Sequence, residues 1–77
     1  MAVIESGTTV RIRIGDQEEC WTVVAPHEAD YLKRRISELS PLGFALLGRQ
    51  PGQSFTVPSP RPYRVTVVAI EVAPVPG

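Results

Sequence analysis

The chain has little of several residue types that small domains use for stability or for chemistry. Its 77 residues contain one cysteine, Cys20, and one histidine, His27, which excludes an internal disulfide and a cysteine–histidine zinc cluster. Because Cys20 stands beside Trp21 in a strand pattern, we expect a buried, inert thiol rather than a reactive one. A small domain with neither kind of crosslink suits a reducing compartment, so we predict a cytoplasmic location.

The sequence also lacks a long apolar run and an excess of either charge. The longest apolar stretch, residues 65–75, is interrupted by Thr66, Glu71 and Pro74, and it is shorter than the ~20 residues that a membrane helix needs. The first ten residues show no secretory signal pattern. Eight basic residues balance eight acidic ones, which argues against nucleic-acid binding by the whole surface. We therefore predict no membrane association and no direct, specific DNA binding.

The residues of common catalytic and cofactor sites are missing as well. The sequence has no glycine-rich phosphate loop, and any histidine-dependent triad would have to use His27. That histidine stands in a loop with Glu28 and Asp30, a setting that favours a solvated side chain. Two carboxylates on one loop are too few for a dedicated cation site. We predict no catalytic residues, no metal and no cofactor, and hence a protein that is not an enzyme.

Short strands separated by eight prolines and six glycines account for most of the chain. Residues 8–14 alternate strictly between apolar and polar, and after a turn at residues 15–17 the pattern resumes, which predicts an antiparallel hairpin. The last predicted strand is apolar on both faces in its middle, as is typical of a central strand. The five predicted strands are residues 8–14, 18–24, 34–40, 55–58 and 63–72.

One segment, residues 40–48 (SPLGFALLG), predicts a short helix instead. Ser40 suits the N-cap, Pro41 the first helical position and Gly48 the left-handed stop at the C-terminus. The predicted helix covers about residues 41–47. A helix of this length is unstable alone, so packing must stabilise it.

Apolar residues lie on more than one side of this helix. Leu42, Ala45 and Leu46 share one face, and Phe44 and Leu47 lie roughly opposite. The element order β-β-β-α-β-β predicts an α+β domain, in which a twisted antiparallel sheet of four to five strands curls around the helix. The sheet covers one helix face, so Phe44 either fills the core or is an exposed anchor for a partner.

The segment at residues 23–60 (VVAPHEADYLKRRISELSPLGFALLGRQPGQSFTVPSP) resembles the C-terminal domain of the GreA/GreB transcript-cleavage factors. It is also similar to their relative, the regulator of nucleoside diphosphate kinase. The matching pieces are the PHEAD loop at residues 26–30, Ile36-Ser37, the SPLGFALLG segment and Gly52. The two longer motifs at this spacing make a specific signal, and the match extends over about residues 6–73.

The resemblance implies an FKBP-like fold and docking on bacterial RNA polymerase at the rim of its secondary channel. In that family an N-terminal coiled coil with an acidic tip helps to hold the catalytic magnesium for RNA cleavage. Only about eight residues precede the first predicted strand here. We therefore expect residues 1–77 to be a single domain of the GreA/GreB C-terminal type without the coiled coil, a module that binds polymerase but does not stimulate cleavage.

The same resemblance points to the PHEAD loop and the start of the helix as docking surface. The charged loop would steer the encounter, and an apolar side chain of the helix would anchor it. Phe44 stands where the family often has a basic residue, which makes that helix face more apolar. The predicted partner-binding residues are Pro26, His27, Glu28, Ala29, Asp30, Ser40, Pro41, Leu42 and Phe44.

Several alternatives stay open at this point. FKBP-like folds include peptidyl-prolyl isomerases, which have aromatic-lined pockets, although this chain has only five aromatic residues. The exposed helix face could instead be buried in a homodimer. The basic run at residues 33–35 is either a solvated face or a contact for an acidic partner or RNA. The partner could also be nucleoside diphosphate kinase rather than polymerase.

Overall fold

The computed structural model describes residues 3–72, apart from the side chain of Val72, and it contains all five predicted strands. They are β1 (Thr9–Ile14), β2 (Gln17–Val24), β3 (Arg35–Ser37), β4 (Ser54–Val57) and β5 (Tyr63–Val72). One α-helix, α1, covers Pro41–Leu46. The segment that was predicted as a loop contains a first 3₁₀ turn at Pro26–Glu28 and a second 3₁₀ turn at Tyr31–Lys33.

The five strands form a single sheet in the order β3-β2-β1-β5-β4. The predicted hairpin is confirmed, since β1 and β2 pair antiparallel across a turn in which Gly15 has φ +61°. Strand β5 lies between β1 and β4 and is antiparallel to both, as expected for a central strand. The longest strand, β5, therefore connects the edge strand β4 to the other three strands of the sheet.

The prediction of an entirely antiparallel sheet is wrong at one edge, where β3 is parallel to β2. Parallel neighbours need a connection that carries the chain back along the first strand. The connection between β2 and β3 can be short, because β3 pairs only with Thr22, Val23 and Val24 at the end of β2. The two 3₁₀ turns supply that connection, so the sheet is mixed.

The core lies on one face of the sheet, because the alternating apolar residues of all five strands point to the same side. Trp21 is 4% exposed there, and residues from the N-terminal segment and the helix complete the cluster. The clustered buried residues are Ile4, Val10, Ile12, Trp21, Val23, Ile36, Leu46, Phe55, Val57, Val65 and Val67.

A β-bulge interrupts the alternation of side chains along β5. Strict alternation predicts that Ile70 shares a face with Arg64 and Thr66, and this is wrong because the β1–β5 register shifts between Arg11 and Ile12. This bulge places Ala69 opposite Arg11 and lets Ile70 pack against the core, because an extra residue reverses the alternation.

Cys20 was expected to be buried, yet the thiol is exposed. It pairs with Arg11 in the strand register, and the adjacent Trp21 takes the core side. Alternation along β2 leaves only one of two neighbouring residues for the core. The bulky indole fills that place, so the thiol faces outward.

Helix α1 is capped as predicted and ends one residue earlier than expected. The Ser40 hydroxyl oxygen accepts a hydrogen bond from the Gly43 N–H at 3.1 Å, and Gly48, beyond the C-terminus, has φ +80°. Leu46 is fully buried, whereas the Phe44 side chain is 68% exposed. Of the two expectations for Phe44, the structure therefore supports the exposed one.

The helix closes the open side of the curled sheet. It contacts β3 and β4, which are the two edge strands of the sheet. Leu42, Ala45 and Leu47 are half-buried against the core on the flanks of Leu46. A helix of six residues draws its stability from this packing rather than from its own hydrogen bonds.

A close contact between Gly43 and Ser37 joins the helix to β3. A Cβ atom added at Gly43 would lie 2.0 Å from the Ser37 carbonyl oxygen. That oxygen accepts hydrogen bonds from the Ser40 hydroxyl at 2.7 Å and from the Ser40 N–H at 3.0 Å. The helix can approach the strand this closely only because residue 43 has no side chain.

The N-terminal segment fastens the other end of the helix, a connection that strand patterns do not predict. Ile4 is buried, and its N–H donates to the Arg49 carbonyl at 2.9 Å while its carbonyl accepts from the Gly48 N–H at 2.8 Å. The fully buried Thr8 hydroxyl accepts from the Glu5 N–H at 3.0 Å. Residues on both sides of α1 are therefore held by specific hydrogen bonds.

Within residues 3–72, no helix has the length and apolar character needed to cross a membrane.

Replacing Gly43 by alanine tests the contact with Ser37. The added methyl group would overlap backbone atoms that cannot move freely, so we expect the free energy of unfolding to fall by about 3 kcal/mol. Gly15→Ala is the matched control, because its φ of +61° strains alanine while nothing lies within 4 Å of the new Cβ. That variant should lose about 1 kcal/mol. Equal losses in urea denaturation of the two variants would contradict the close contact.

Candidate functional site

The PHEAD loop presents most of its side chains to solvent. Pro26, His27, Glu28 and Ala29 are exposed and belong to the first 3₁₀ turn or its end. His27 Nε2 lies 4.0 Å from Glu28 Oε1, and the two side chains are 82% and 57% exposed. An ion pair this exposed adds little to stability even when the histidine is protonated. The loop side chains are thus free to contact another molecule.

Asp30, the last residue of that loop, shapes the backbone instead. Its Oδ1 accepts a hydrogen bond from the Leu32 N–H at 3.1 Å and so caps the second 3₁₀ turn. Its own N–H and carbonyl bridge to Arg35 at 3.0 and 2.9 Å. The carboxylate that was predicted to bind a partner is therefore committed, in part, to holding the turn.

Three of the predicted residues at the start of the helix line one groove. Ser40, Pro41 and Leu42 form its helix side, and its volume is roughly 290 Å³. The other residues that line it are Tyr31, Ile36, Ser59 and Tyr63. Both 3₁₀ turns and α1 pack against β3, so the PHEAD loop and this groove adjoin the same edge of the sheet.

Phe44 lies apart from that groove. It lines a second depression with Ala45, Leu47, Gly48, Arg49 and Gln53. The Arg49 guanidinium stacks 4.4 Å from the centre of the Phe55 ring, and its Nε donates to the Ala45 carbonyl at 3.0 Å. The structure thus brings the loop and the start of the helix together, but it does not add Phe44 to the same recess.

Two exposed residues that the sequence reasoning missed belong to the second 3₁₀ turn. Tyr31 is 73% exposed and Leu32 is 97% exposed. The sequence signal was present, because an apolar pair stands between Asp30 and Lys33 in an otherwise polar loop. Residues 31 and 32 extend the predicted surface from the PHEAD loop toward the groove.

A group of four side chains fastens this turn to β2, and we call it the clasp: Glu19, Trp21, Tyr31 and Arg34. The Tyr31 and Trp21 rings meet edge to face, with centres 4.9 Å apart and planes at 71°. The Arg34 guanidinium lies 4.9 Å from the centre of the indole ring. Glu19 Oε1 accepts from Trp21 Nε1 at 2.8 Å and lies 3.4 Å from Arg34 Nη1.

The three residues of the basic run at residues 33–35 have different contacts. Arg34 is engaged in the clasp, and the backbone of Arg35 is bridged to Asp30. Lys33 and Arg35 are exposed.

The groove holds little chemistry beyond hydroxyl groups. Within the described residues, no group of three or more histidine, cysteine, aspartate or glutamate side chains could hold a metal ion. Trp21 and Phe55 belong to the core, so Tyr31 and Tyr63 are the aromatic residues that line the groove. Burial raises the pKa of the Tyr63 hydroxyl above its ordinary value, and Tyr31 and Glu19 add to the shift.

The raised pKa of Tyr63 can be measured in the Tyr31→Phe variant, in which Tyr63 is the sole tyrosine. Because folding favours the neutral phenol, its contribution to stability is fully present below the unfolded pKa of about 10 and is lost as pH rises through the folded pKa. We expect tyrosinate absorbance to rise at higher pH in the folded chain than in concentrated urea. Identical midpoints would show that the groove does not desolvate Tyr63.

Comparison with known proteins points to one family. The family model "Transcription elongation factor, GreA/GreB, C-term" matches residues 2–72. Transcription elongation factor GreA of Roseiflexus sp. (strain RS-1) is 45% identical over 69 residues, which are 88% of this chain and 44% of that protein. GreA of Nitratidesulfovibrio vulgaris (strain DSM 19637 / Miyazaki F) is 42% identical over 72 residues, covering 87% and 45%. The chain thus spans less than half the length of these relatives.

Solved structures give the same relationship. The structure of the transcription factor Gfh1 superposes with a TM-score of 0.83 at 32% identity, over 94% of this chain and 49% of that one. A GreA/GreB elongation factor from Nitrosomonas europaea gives a TM-score of 0.75 at 35% identity, over 91% and 61%. These likenesses confirm the predicted α+β fold.

Proposed function

The chain belongs to the GreA/GreB C-terminal domain family, and we propose that it is a module that binds bacterial RNA polymerase and regulates transcription elongation. It docks near the secondary channel, in the cytoplasm, and acts as a regulator rather than as an enzyme. The observation that carries this proposal is the shared position of the PHEAD loop and the start of α1 beside β3. An exposed charged loop next to an apolar groove has the two components of a specific protein contact.

The charges of the loop support a role in recognition. Glu28 is exposed, and its neighbour His27 gives it only a solvated partner. Rim charges of this kind steer association and fix register more than they add affinity. Ser40, Pro41 and Leu42 supply the less polar part of the surface beside it.

The proposed role does not include stimulation of transcript cleavage. By the family resemblance, cleavage depends on an acidic tip carried by a long coiled coil. Residues 3–72 instead form one sheet, one six-residue helix and two 3₁₀ turns. Their proposed role is to occupy the docking position and so to tune access of other factors.

Binding to purified bacterial core polymerase is the first test, with a GreA factor measured in parallel. We expect this chain to bind, and Glu28→Lys to weaken binding about fivefold at low salt, because it reverses a rim charge. Asp16→Lys, the same charge reversal in the exposed β1–β2 turn, should change affinity less than about twofold. The proposal fails if GreA binds and this chain does not.

Backtracked transcription complexes test the regulatory part. The chain alone should leave the rate of transcript cleavage at its intrinsic value, because residues 3–72 carry no group of metal-ligating side chains. In excess over GreA it should lower GreA-stimulated cleavage by competing for the same position. Faster cleavage with the chain alone would contradict the account.

A further inference from the structure

Arg34 has an unusual backbone conformation for a residue with a side chain. Among residues 3–72 it is the non-glycine residue with a positive φ, 57°. This left-handed conformation is unfavourable for residues with a Cβ atom and persists where surrounding contacts hold it. A glycine would adopt this conformation without strain. The presence of an arginine therefore suggests that the contacts of its side chain matter.

Those contacts tie Arg34 to β2 from two directions. Its carbonyl oxygen accepts from the Thr22 N–H at 2.8 Å, and its N–H donates to the Tyr31 carbonyl at 3.1 Å. Its guanidinium stacks over Trp21 and pairs with the Glu19 carboxylate, which also accepts from the indole N–H. The second 3₁₀ turn is therefore fixed at its C-terminal end by backbone and side chain together.

The turn that is held in this way presents Leu32. This side chain is 97% exposed, so it packs against nothing in the domain that would account for a leucine. It directly follows Tyr31, which lines the groove, and it lies two residues after the PHEAD loop. A rigid turn lowers the entropy that an exposed side chain loses on binding.

We propose that Arg34 is a positioning residue for docking, and that the clasp fixes the turn so that Leu32 enters an apolar depression on the polymerase surface. This inference rests on the proposed function. It assigns a contact role to Leu32 and a positioning role to Arg34, neither of which was predicted from the sequence. The Arg34 side chain is itself 59% exposed, so its ion pair with Glu19 contributes little to the stability of the free domain. Its effect lies in the conformation of the turn.

Substitution at Arg34 separates positioning from stability. Arg34→Gly removes the clasp contacts but relieves the backbone strain, so the unfolding midpoint should stay within about 4 °C of the unsubstituted chain. Polymerase affinity should nevertheless fall about tenfold, because the turn must be ordered on binding. Arg34→Lys keeps a cation over Trp21 and should restore affinity to within about threefold.

Fluorescence of Trp21, the only tryptophan, gives a readout that needs no polymerase. Arg34→Gly should shift its emission to longer wavelength by exposing the indole, and Arg34→Lys should not. Leu32→Ser tests the contact itself and should weaken binding about tenfold without a change in emission. Leu39→Ser is its control, since Leu39 is 72% exposed and lines neither depression.

The outcomes separate the two proposals. If the unsubstituted chain does not bind polymerase while GreA does, the proposed function fails. If the unsubstituted chain binds polymerase, and Arg34→Gly and Leu32→Ser both bind with the affinity of the unsubstituted chain, only the positioning role fails. Loss of binding by Leu39→Ser to the same degree as by Leu32→Ser would also overturn it.

Discussion

The close approach of Gly43 to the Ser37 carbonyl oxygen is the contact on which the rest of the structure depends. Helix α1 has too few residues to be stable alone, so it forms where β3 and its own cap hold it. Ser40 bonds both to the Ser37 carbonyl and to the Gly43 N–H. Once the helix is seated, Leu46 completes the core, the edge strands converge on the helix, and one wall of the groove is in place.

Regular local patterns made much of this fold predictable. The alternation in β1 and β2 gave the hairpin, and Ser40, Pro41 and Gly48 gave the helix, because both depend on neighbouring residues in the chain. The parallel pairing of β3 and the bulge in β5 were not predictable, since they depend on contacts between distant segments. Cys20 has a similar explanation, because alternation shows which residues share a strand face but not which face is covered. Helical spacing likewise left open whether Phe44 lies in the core or in solvent.

The candidate site was predictable to a similar extent. The exposure of the PHEAD loop followed from its composition, and the family resemblance added the start of the helix. The structural role of Asp30 and the clasp around Trp21 were not visible in the sequence, because a cap and a left-handed backbone at Arg34 are set by the fold of the turn. The apolar pair at residues 31 and 32 is visible in the sequence. Its neighbours in the chain do not reveal that the turn directs Leu32 into solvent.

The central claim is that the PHEAD loop, the second 3₁₀ turn and the start of α1 together form the surface that meets RNA polymerase. Amide hydrogen exchange of the chain, free and bound to core polymerase, tests it most directly. The account predicts slower exchange in the complex at residues 27–33 and 42–44, with no change at residues 15–17 in the β1–β2 turn. Protection confined to the outward face of β1 and β2, with residues 27–33 unchanged, would contradict it.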